Sequence, residues 1–433
     1  MNGDIPLRIL FLTQIIPYPL DSGPKVKTWH VLRYLAEKGH LISLISFVRP
    51  DEMVHVAALR QVCAEVYTVP IHRSHLANIG YWLRSQLTGR PYLIERDDLP
   101  GMRQTVRDLL SQTTIDFIHA DQLSMAQFAL PAPKLFSRSD NHIQSKNLKA
   151  PKLVFDAHNA VWTIVQRMSE NAPFFLKQLA NQEARRVKRY EGMLLSAFDH
   201  TLAVTDIDRG MLLEAVESYE SSSLHTAGLG TSEEPDIRVI PIAVDTRVLQ
   251  PIACQPDSMN IVTLGTLHYP PNADGIRWFA REVFPRVVQE IPQATLTIIG
   301  KNPPQDFHEM AVSQPDRFTV TGYVPDLVPQ LERAAVMAVP VRAGSGMRVR
   351  ILEALAQGMP IVTTTIGLEG IDATPGQDVL VADTVEEYAT AVVRLLRDSE
   401  LRARLAQNGR RLAENRYDWR VVLKKMDEVY GDA

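Results

Sequence analysis

Short apolar runs alternate with amphipathic stretches along almost the whole chain. The runs are rich in Val, Ile and Leu, which is typical of strands buried on both faces of a parallel sheet. In the first half they cover residues 8–13, 41–47, 66–70, 117–120, 153–156, 200–204 and 238–242. The intervening stretches carry apolar residues at helical spacing, as in 26–38, which ends at Gly39. This alternation predicts a doubly wound parallel sheet.

The same pattern starts again near residue 260. Apolar runs predict a second set of strands at 260–264, 295–299, 318–321, 336–339 and 361–364. Helical patterns cover 273–291 and most of 384–430, with a break at 417–419. Two similar halves predict an α/β protein with a first domain over 1–243 and a second over 244–416. The last helix, from about 417 to 433, is predicted to pack back on the first domain.

Composition narrows the class of protein. The chain has 433 residues, more than one average core accommodates, and 45% of them are hydrophobic. A net charge of −4 disfavours nucleic acid as a partner. Cys63 and Cys254 are far apart and are interpreted as reduced, apolar side chains. We expect no signal peptide and no membrane span, and therefore a cytoplasmic protein. The polar stretches 137–152 and 221–235 are predicted to be surface loops.

One segment carries most of the candidate chemistry. The strand 336–339 leads into a loop with Gly344 and Gly346, which allow a ligand to approach backbone amides closely. A predicted helix follows, and its N-terminus favours an anion. Arg348 and Arg350 add positive charge suited to phosphates, and Glu353 is placed to bind a ribose diol. The segment predicts a nucleoside-diphosphate site at the carboxyl end of a parallel strand.

Further motifs accompany this segment in a fixed order along the chain. They are 17–23, 155–159, 239–245, Gly265, 297–300, 321–324 and 340–360. Together they resemble the GT-B glycosyltransferases, specifically the retaining family 4 (glycosyl transferases group 1). The resemblance implies two Rossmann-like domains facing a central cleft, with the donor bound mainly by the second domain. It also implies retaining, metal-independent transfer of a hexose-type sugar from a UDP- or GDP-sugar to an acceptor hydroxyl, without a cofactor.

The resemblance carries roles to three particular residues. Glu353 matches the family glutamate that binds the ribose hydroxyls, although a glutamate near a helix start is also favoured by the helix dipole. His158 matches the histidine that faces the donor sugar, although a histidine after a strand is often an ordinary loop residue. Gly23 matches the glycine whose backbone approaches the diphosphate or the acceptor, although turns also select glycine.

The sequence departs from the family pattern at two places. Ser345 stands where many members carry a glutamate that contacts the donor sugar. The run after Gly265 lacks the arginine and lysine that usually hold the diphosphate. We therefore expect Arg348 to be the principal phosphate cation, since Arg350, two positions on, points to another helix face. The remaining predicted donor-binding residues are Gly265, Thr266, His268, Lys301, Tyr323, Val324, Gly344, Ser345, Gly346, Met347 and Arg350, with Arg342 in reserve.

The acceptor is the least constrained part of the prediction. A carbohydrate or lipid-linked acceptor fits the family, with a role in cell-surface polysaccharide or glycolipid assembly. The segments 76–92 and 177–189 combine basic and apolar residues. They are either solvated helix faces or a peripheral contact with the anionic inner face of the membrane.

Two other functions remain open at this stage. One is a catalytically decayed sugar-nucleotide-binding or scaffold protein, and the other is a nucleotide-sugar epimerase of the same fold. A dinucleotide-dependent dehydrogenase is disfavoured, because no Gly-x-Gly-x-x-Gly follows the first strand.

Overall fold

A computed structural model describes residues 6–131, 150–170, 173–223, 234–344 and 346–431. Most of the two stretches predicted as surface loops, 137–149 and 224–233, lie outside the described residues, as does Ser345. The chain divides into two compact units. The first comprises Met1–Pro241 with Leu423–Ala433, and the second comprises Ile242–Val422.

The first unit is built on a seven-stranded sheet in which every pair of neighbouring strands is parallel. Its order is β3-β2-β1-β4-β5-β6-β7. The strands are β1 (Arg8–Thr13), β2 (Leu41–Val48), β3 (Glu65–Pro70), β4 (Phe117–Asp121), β5 (Lys152–Asp156), β6 (His200–Ala203) and β7 (Ile237–Val239). Residues Ile9–Leu12 of β1 are inaccessible to solvent, which explains the uninterrupted apolar run in the sequence.

Helices connect these strands. They are α1 (Gly23–Glu37), α2 (Val56–Leu59), α3 (His75–Thr88), α4 (Tyr92–Asp97), α5 (Pro100–Gln112), α6 (Ala126–Ala129), α7 (Val161–Glu170), α8 (Phe174–Leu195) and α9 (Asp206–Ser223). A 3₁₀ helix, Pro50–His55, precedes α2. Because parallel strands need crossover connections, these helices follow from the strand order.

The second unit repeats the plan with a six-stranded parallel sheet of order β10-β9-β8-β11-β12-β13. Its strands are β8 (Asn260–Leu264), β9 (Thr295–Ile299), β10 (Phe318–Gly322), β11 (Val336–Val339), β12 (Ile361–Thr363) and β13 (Leu380–Val381). Its helices are α10 (Pro270–Trp278), α11 (Phe284–Glu290), α12 (Gln305–Ser313), α13 (Val328–Glu332), α14 (Val349–Ala356), α15 (Val385–Arg397), α16 (Ser399–Leu412) and α17 (Trp419–Val422). The predicted architecture of two doubly wound parallel sheets is confirmed.

One helix and one strand have different limits from those that the sequence predicts. The helix expected at 273–291 begins at Pro270, because proline fits the first helical turn. A π-helical turn, Phe279–Val283, separates α10 from α11. The strand expected at 238–242 ends at Val239, although Ile240 and Ile242 remain buried.

The C-terminal segment belongs to the first unit. It contains a short 3₁₀ helix, Leu423–Lys425, and α18 (Met426–Tyr430). Asp427 accepts a hydrogen bond of 2.8 Å from the Tyr34 hydroxyl and one of 2.6 Å from the Lys38 ammonium. The Tyr430 hydroxyl lies 2.7 Å from Nδ1 of His119, at the middle of β4.

Candidate functional site

The second unit has a switch point between β8 and β11. From β8 the chain winds outward to β9 and β10, and then returns to the other side of β8 with β11. In sheets of this kind, ligands bind outside the carboxyl ends of the strands at such a point. The loops that leave β8 and β11 there begin at Gly265 and Pro340, and they hold most of the predicted donor-binding residues.

The loop after β11 has a backbone that requires glycine. Gly344 and Gly346 have φ angles of +115° and +83°, which side chains with a Cβ rarely adopt. Met347 is buried, and Arg348 forms the N-cap of α14 with a non-helical backbone. A Cβ added at Gly344 would lie 3.2 Å from Nη2 of Arg348. The Arg348 guanidinium therefore packs against its own loop.

Arg350 and Glu353 lie on one face of α14. Arg350 donates a hydrogen bond to the carbonyl oxygen of Leu264, the residue directly before Gly265. Burial raises the pKa of the Glu353 carboxyl and lowers the pKa of the Arg350 guanidinium, and their mutual attraction opposes both shifts. A cation and a carboxylate thus lie one helical turn apart beside the switch point.

The loop after β8 is packed against its neighbours by glycines. A Cβ on Gly300 would lie 1.8 Å from the carbonyl oxygen of Gly265, and one on Gly275 would lie 1.9 Å from that of Pro340. The second contact brings α10 directly against the start of the loop after β11. No larger residue fits at Gly275 or Gly300 without a backbone shift, so these glycines hold the two loops together.

The remaining predicted donor-binding residues lie along the same edge of the sheet. The Thr266 carbonyl accepts hydrogen bonds from the Tyr269 amide and the Asn272 side chain, while His268 is exposed. Lys301 and Tyr323 follow β9 and β10 and are exposed, and Val324 is partly buried. The reserve cation Arg342 lies 3.5 Å from Asp274 and over the Trp278 ring.

Two threonines that sequence reasoning missed hold the loop after β11. Thr363 donates to the Val339 carbonyl at 2.9 Å, and Thr364 donates to the carbonyl of Val341. Both threonines end or follow β12, the neighbour of β11. A hydroxyl at the carboxyl end of a parallel strand is the signal that would have found them.

The first unit has its own switch point, between β1 and β4. Thr13, Asp121 and Asp156 end β1, β4 and β5, and the register aligns Thr13 with Asp121 and Asp121 with Asp156. All three are buried. Gly23, the predicted ligand-binding glycine, is the first residue of α1 and is partly buried. The sequence did not single out Asp121 or Asp156 as site residues, because each stands at the end of an apolar run that predicts only a strand.

His158 is held by Asp121. Its Nε2 lies 2.6 Å from Asp121 Oδ1, and the side chain is 6% exposed. Because a carboxylate only accepts hydrogen bonds, the imidazole carries its hydrogen on Nε2. The His158 backbone has a φ of +55°, an uncommon conformation for a residue with a Cβ. Thr13 and Thr28 also donate to Asp121, at 2.8 and 3.0 Å from Oδ2.

Asp156 is held by Lys27, from the first turns of α1. Both side chains are almost fully buried, and the Lys27 ammonium donates directly to Asp156 Oδ1. Burial disfavours the charged carboxylate, but Lys27, His158 and His119 together keep the pKa of Asp156 well below its usual value. The ion pair joins α1 to the strand that precedes His158.

His119, Asp121 and Asp156 also have the spacing of a metal site. Each offers a ligand atom, and these atoms lie within 4.8 Å of one another. The Lys27 ammonium already contacts Asp156, and hydroxyl and imidazole groups already donate to Asp121. A divalent ion at this position would have to displace these donors.

No helix in the described ranges is both long and apolar enough to cross a bilayer. The longest, α8, carries five basic residues, Lys177, Arg185, Arg186, Lys188 and Arg189, between its ends.

Residues 258–398 match the protein family described as "Glycosyl transferases group 1". A 44.6 kDa protein in the cps region of Klebsiella pneumoniae is 24% identical over 173 residues, which span 39% of this chain and 45% of that protein. Spore coat protein SA of Bacillus subtilis is 26% identical over 163 residues, 34% of this chain and 43% of that protein. The matched segments thus cover less than half of either relative.

Solved structures match over the whole chain. Alr3699/HepE of Anabaena, in complex with UDP, has a TM-score of 0.67 at 14% identity, covering 99% of this chain and 100% of that one. Sucrose-phosphate synthase of Thermosynechococcus elongatus has a TM-score of 0.66 at 16% identity, covering 98% of each chain. The predicted GT-B fold is confirmed, and residues 258–398 match the glycosyl transferases group 1 family.

Proposed function

We propose that this protein is a retaining, metal-independent glycosyltransferase of family 4. It moves a hexose-type sugar from a UDP- or GDP-sugar to an acceptor hydroxyl in the assembly of cell-surface polysaccharide or glycolipid. The observation that carries the proposal is the placement of Arg350 and Glu353, one helical turn apart on α14, with Arg350 bonded to the carbonyl before Gly265 and beside the two glycine loops. The UDP bound by Alr3699/HepE and the cps-region relative support the choice of donor and pathway.

Arg350 supplies the charge that the loop after Gly265 lacks. A diphosphate left without cations in a partly buried site would cost several kcal/mol. The Arg350 guanidinium reaches the carbonyl before Gly265, so its position replaces the cation that family members carry on that loop. Arg348 and the amides at the start of α14 provide the remaining positive field. Arg350 thereby neutralises more of the diphosphate charge than the sequence predicts.

The chemistry follows from this charge. The bond between the anomeric carbon and the phosphate oxygen breaks while the acceptor oxygen bonds to the same face of that carbon. The departing phosphate takes the hydroxyl proton, and preorganised donors stabilise its developing charge. Asp121 and Asp156 are both engaged by buried donors, which disfavours either as a nucleophile. His158 is assigned to orienting the transferred sugar.

Substitutions in α14 test the proposal. Glu353→Ala and Arg350→Ala are each expected to weaken donor binding about tenfold to a hundredfold, the effect of losing a charge-assisted hydrogen bond of ~1.5–3 kcal/mol. Arg348→Ala is expected to reduce turnover. Exposed Glu309 and Arg281, changed to alanine, are the matched controls. Titration calorimetry with UDP- and GDP-hexoses gives the affinity, and donor consumption with EDTA present gives the turnover.

Near-normal binding and turnover in all three variants would refute this site. Loss of turnover on chelation would instead contradict only the metal independence.

The absence of a cation after Gly265 favours one alternative, a protein that binds sugar nucleotides without transferring the sugar. Such a protein would bind the donor with the same dependence on Glu353 but would neither transfer nor hydrolyse it. An epimerase would release a free epimeric sugar. Product analysis by mass spectrometry with and without acceptor separates the three.

A further inference from the structure

Helix α3 turns its apolar side chains toward solvent. Leu76, Ile79, Leu83 and Leu87 are 82%, 57%, 52% and 88% exposed. Their spacing of three, four and four residues places them on one stripe of the helix. Trp82, 42% exposed, borders this stripe. The apolar stripe therefore has no cover within the part of the chain that the structure describes.

Opposite the stripe, polar groups of α3 hold the helix to its neighbours. Ser85 is fully buried, and its hydroxyl donates to the Arg90 carbonyl at 2.7 Å. Arg186 of α8 lies 3.4 Å from the Ser85 hydroxyl and 3.1 Å from the Gln86 amide oxygen. Thr88 donates to Glu95 at 2.9 Å. Hydrogen bonds thus fix the helix with its apolar stripe outward.

The positive charge near the stripe comes from α8. Arg73, Arg84 and Arg90, on and beside α3, form ion pairs with Asp97, Glu95 and Asp98. The neighbouring α8 exposes Lys177, Arg185 and Arg189. It also carries the exposed Leu176 and Leu179. Apolar and basic groups are therefore combined on one surface, which we call the α3 face: helix α3 with the segment 176–189 of α8.

We propose that the α3 face docks on the surface of an anionic lipid bilayer. Leucines of the stripe would enter the boundary between headgroups and acyl chains, with Trp82 at the interface. Lys177, Arg185 and Arg189 of α8 would meet lipid phosphates, each adding attraction that falls with salt. Helix α3 has 14 residues, too few to span the bilayer, so it lies in the interface plane.

The positive charge of the α3 face favours an anionic bilayer over a second copy of the chain as its binding partner. A symmetric dimer through the α3 face would bring the same basic residues together from both copies, which is repulsive. An anionic bilayer meets both the apolar stripe and the positive charge.

Flotation of the full chain with lipid vesicles tests the docking. The wild type is expected to float with phosphatidylcholine vesicles that contain phosphatidylglycerol, more weakly with phosphatidylcholine alone, and less as salt is raised. Leu76→Ser with Leu87→Ser is expected to lower the partition coefficient at least about tenfold, since each leucine buries apolar surface. Val248→Ser with Val312→Ser, two exposed valines of the second unit, is the matched control and should float like the wild type. Arg185→Gln with Arg189→Gln should weaken only the binding to anionic vesicles.

Equal flotation of the leucine double variant and the wild type would overturn the proposal. So would wild-type self-association, seen by light scattering, that the same leucine substitutions abolish, because a second copy would then cover the stripe. Binding to anionic vesicles that ignores salt would also contradict it. Vesicle binding is measured without donor, so this inference stands or fails independently of the proposed transferase activity.

Discussion

At the scale of single residues, Asp121 fixes the orientation of the His158 side chain. It accepts hydrogen bonds from Thr13 and Thr28 as well as from the imidazole, so its two oxygens have fixed directions. Asp121→Asn would replace one acceptor oxygen with an amide donor. The imidazole would then have to turn or change tautomer. Asp121 is therefore a positioning residue for His158 in the proposed reaction.

We expect Asp121→Asn to lower kcat by about tenfold to a hundredfold, the usual cost of a misplaced reacting group. Donor affinity should change little, since the donor-binding residues lie in the second unit. Steady-state kinetics and donor titration measure the two effects separately. Thr28→Val, which removes one donor to Asp121 but leaves its contact with His158, should have the smaller effect on kcat. A fall in donor affinity equal to the fall in kcat would point to general unfolding instead.

The sequence predicted residues that sit in recognisable motifs and missed those whose role depends on the fold. Glu353, Arg348 and Arg350 were singled out because a glycine loop precedes them, and their roles in donor binding stay predictions. Lys27 was not singled out, because a lysine in the first turns of an amphipathic helix is usually solvated. Its burial follows from the packing of α1 on the carboxyl end of β5, which local pattern does not contain.

At the scale of elements, the helix after His158 is capped by a distant carboxylate. Glu191 of α8 is fully buried and accepts hydrogen bonds from the amides of Val161 and Trp162, at 2.8 and 3.1 Å. Burial raises the pKa of Glu191 from 4.5 to about 8, with a smaller contribution from nearby Asp208. The cap therefore binds a proton more tightly in the folded protein than in the unfolded chain.

A raised folded pKa gives a definite pH dependence. The stabilisation is fully present below about pH 4.5 and is lost as pH rises toward about 8, amounting to on the order of a few kcal/mol. Glu191→Gln should remove this slope, so that its free energy of unfolding falls less between pH 5 and about 8 than that of the wild type. Urea unfolding at a series of pH values measures the difference. Parallel curves for the two proteins would mean that Glu191 does not titrate in this range.

Strand and helix positions were predictable wherever burial was uniform. The runs 260–264, 295–299 and 336–339 match β8, β9 and β11, since both faces of each strand are covered. The segment 76–92 was interpreted as either a solvated helix face or a membrane contact, and the sequence did not predict which side of α3 is exposed. Hydrogen bonds from Arg186 and Thr88 fix that orientation.

At the scale of the whole molecule, the chain leaves its first unit at Pro241 and returns to it at Leu423. The sequence placed these limits at 243 and about 417, where a proline (Pro241) and a helix break (417–419) stand. The sequence pattern alone does not predict how deeply the C-terminal residues 423–430 are buried. Leu423, Met426, Val429 and Tyr430 are all at most 3% exposed.

Removal of residues 423–433 should therefore unfold the first unit. Each large apolar side chain contributes about 1.5–3 kcal/mol when buried. Together, four such side chains contribute nearly the whole stability of a typical domain, ~5–15 kcal/mol.

Tyr430→Phe keeps the apolar contacts and removes only the hydroxyl near His119, so it should cost about 1–3 kcal/mol. Circular dichroism during thermal unfolding reports the loss, and binding of a UDP-sugar reports whether the second unit survives. If the shortened chain melted like the wild type, the C-terminal segment would add nothing to the first core. If Tyr430→Phe were as damaging as the deletion, the hydroxyl rather than the apolar packing would be the main tie between this segment and β4.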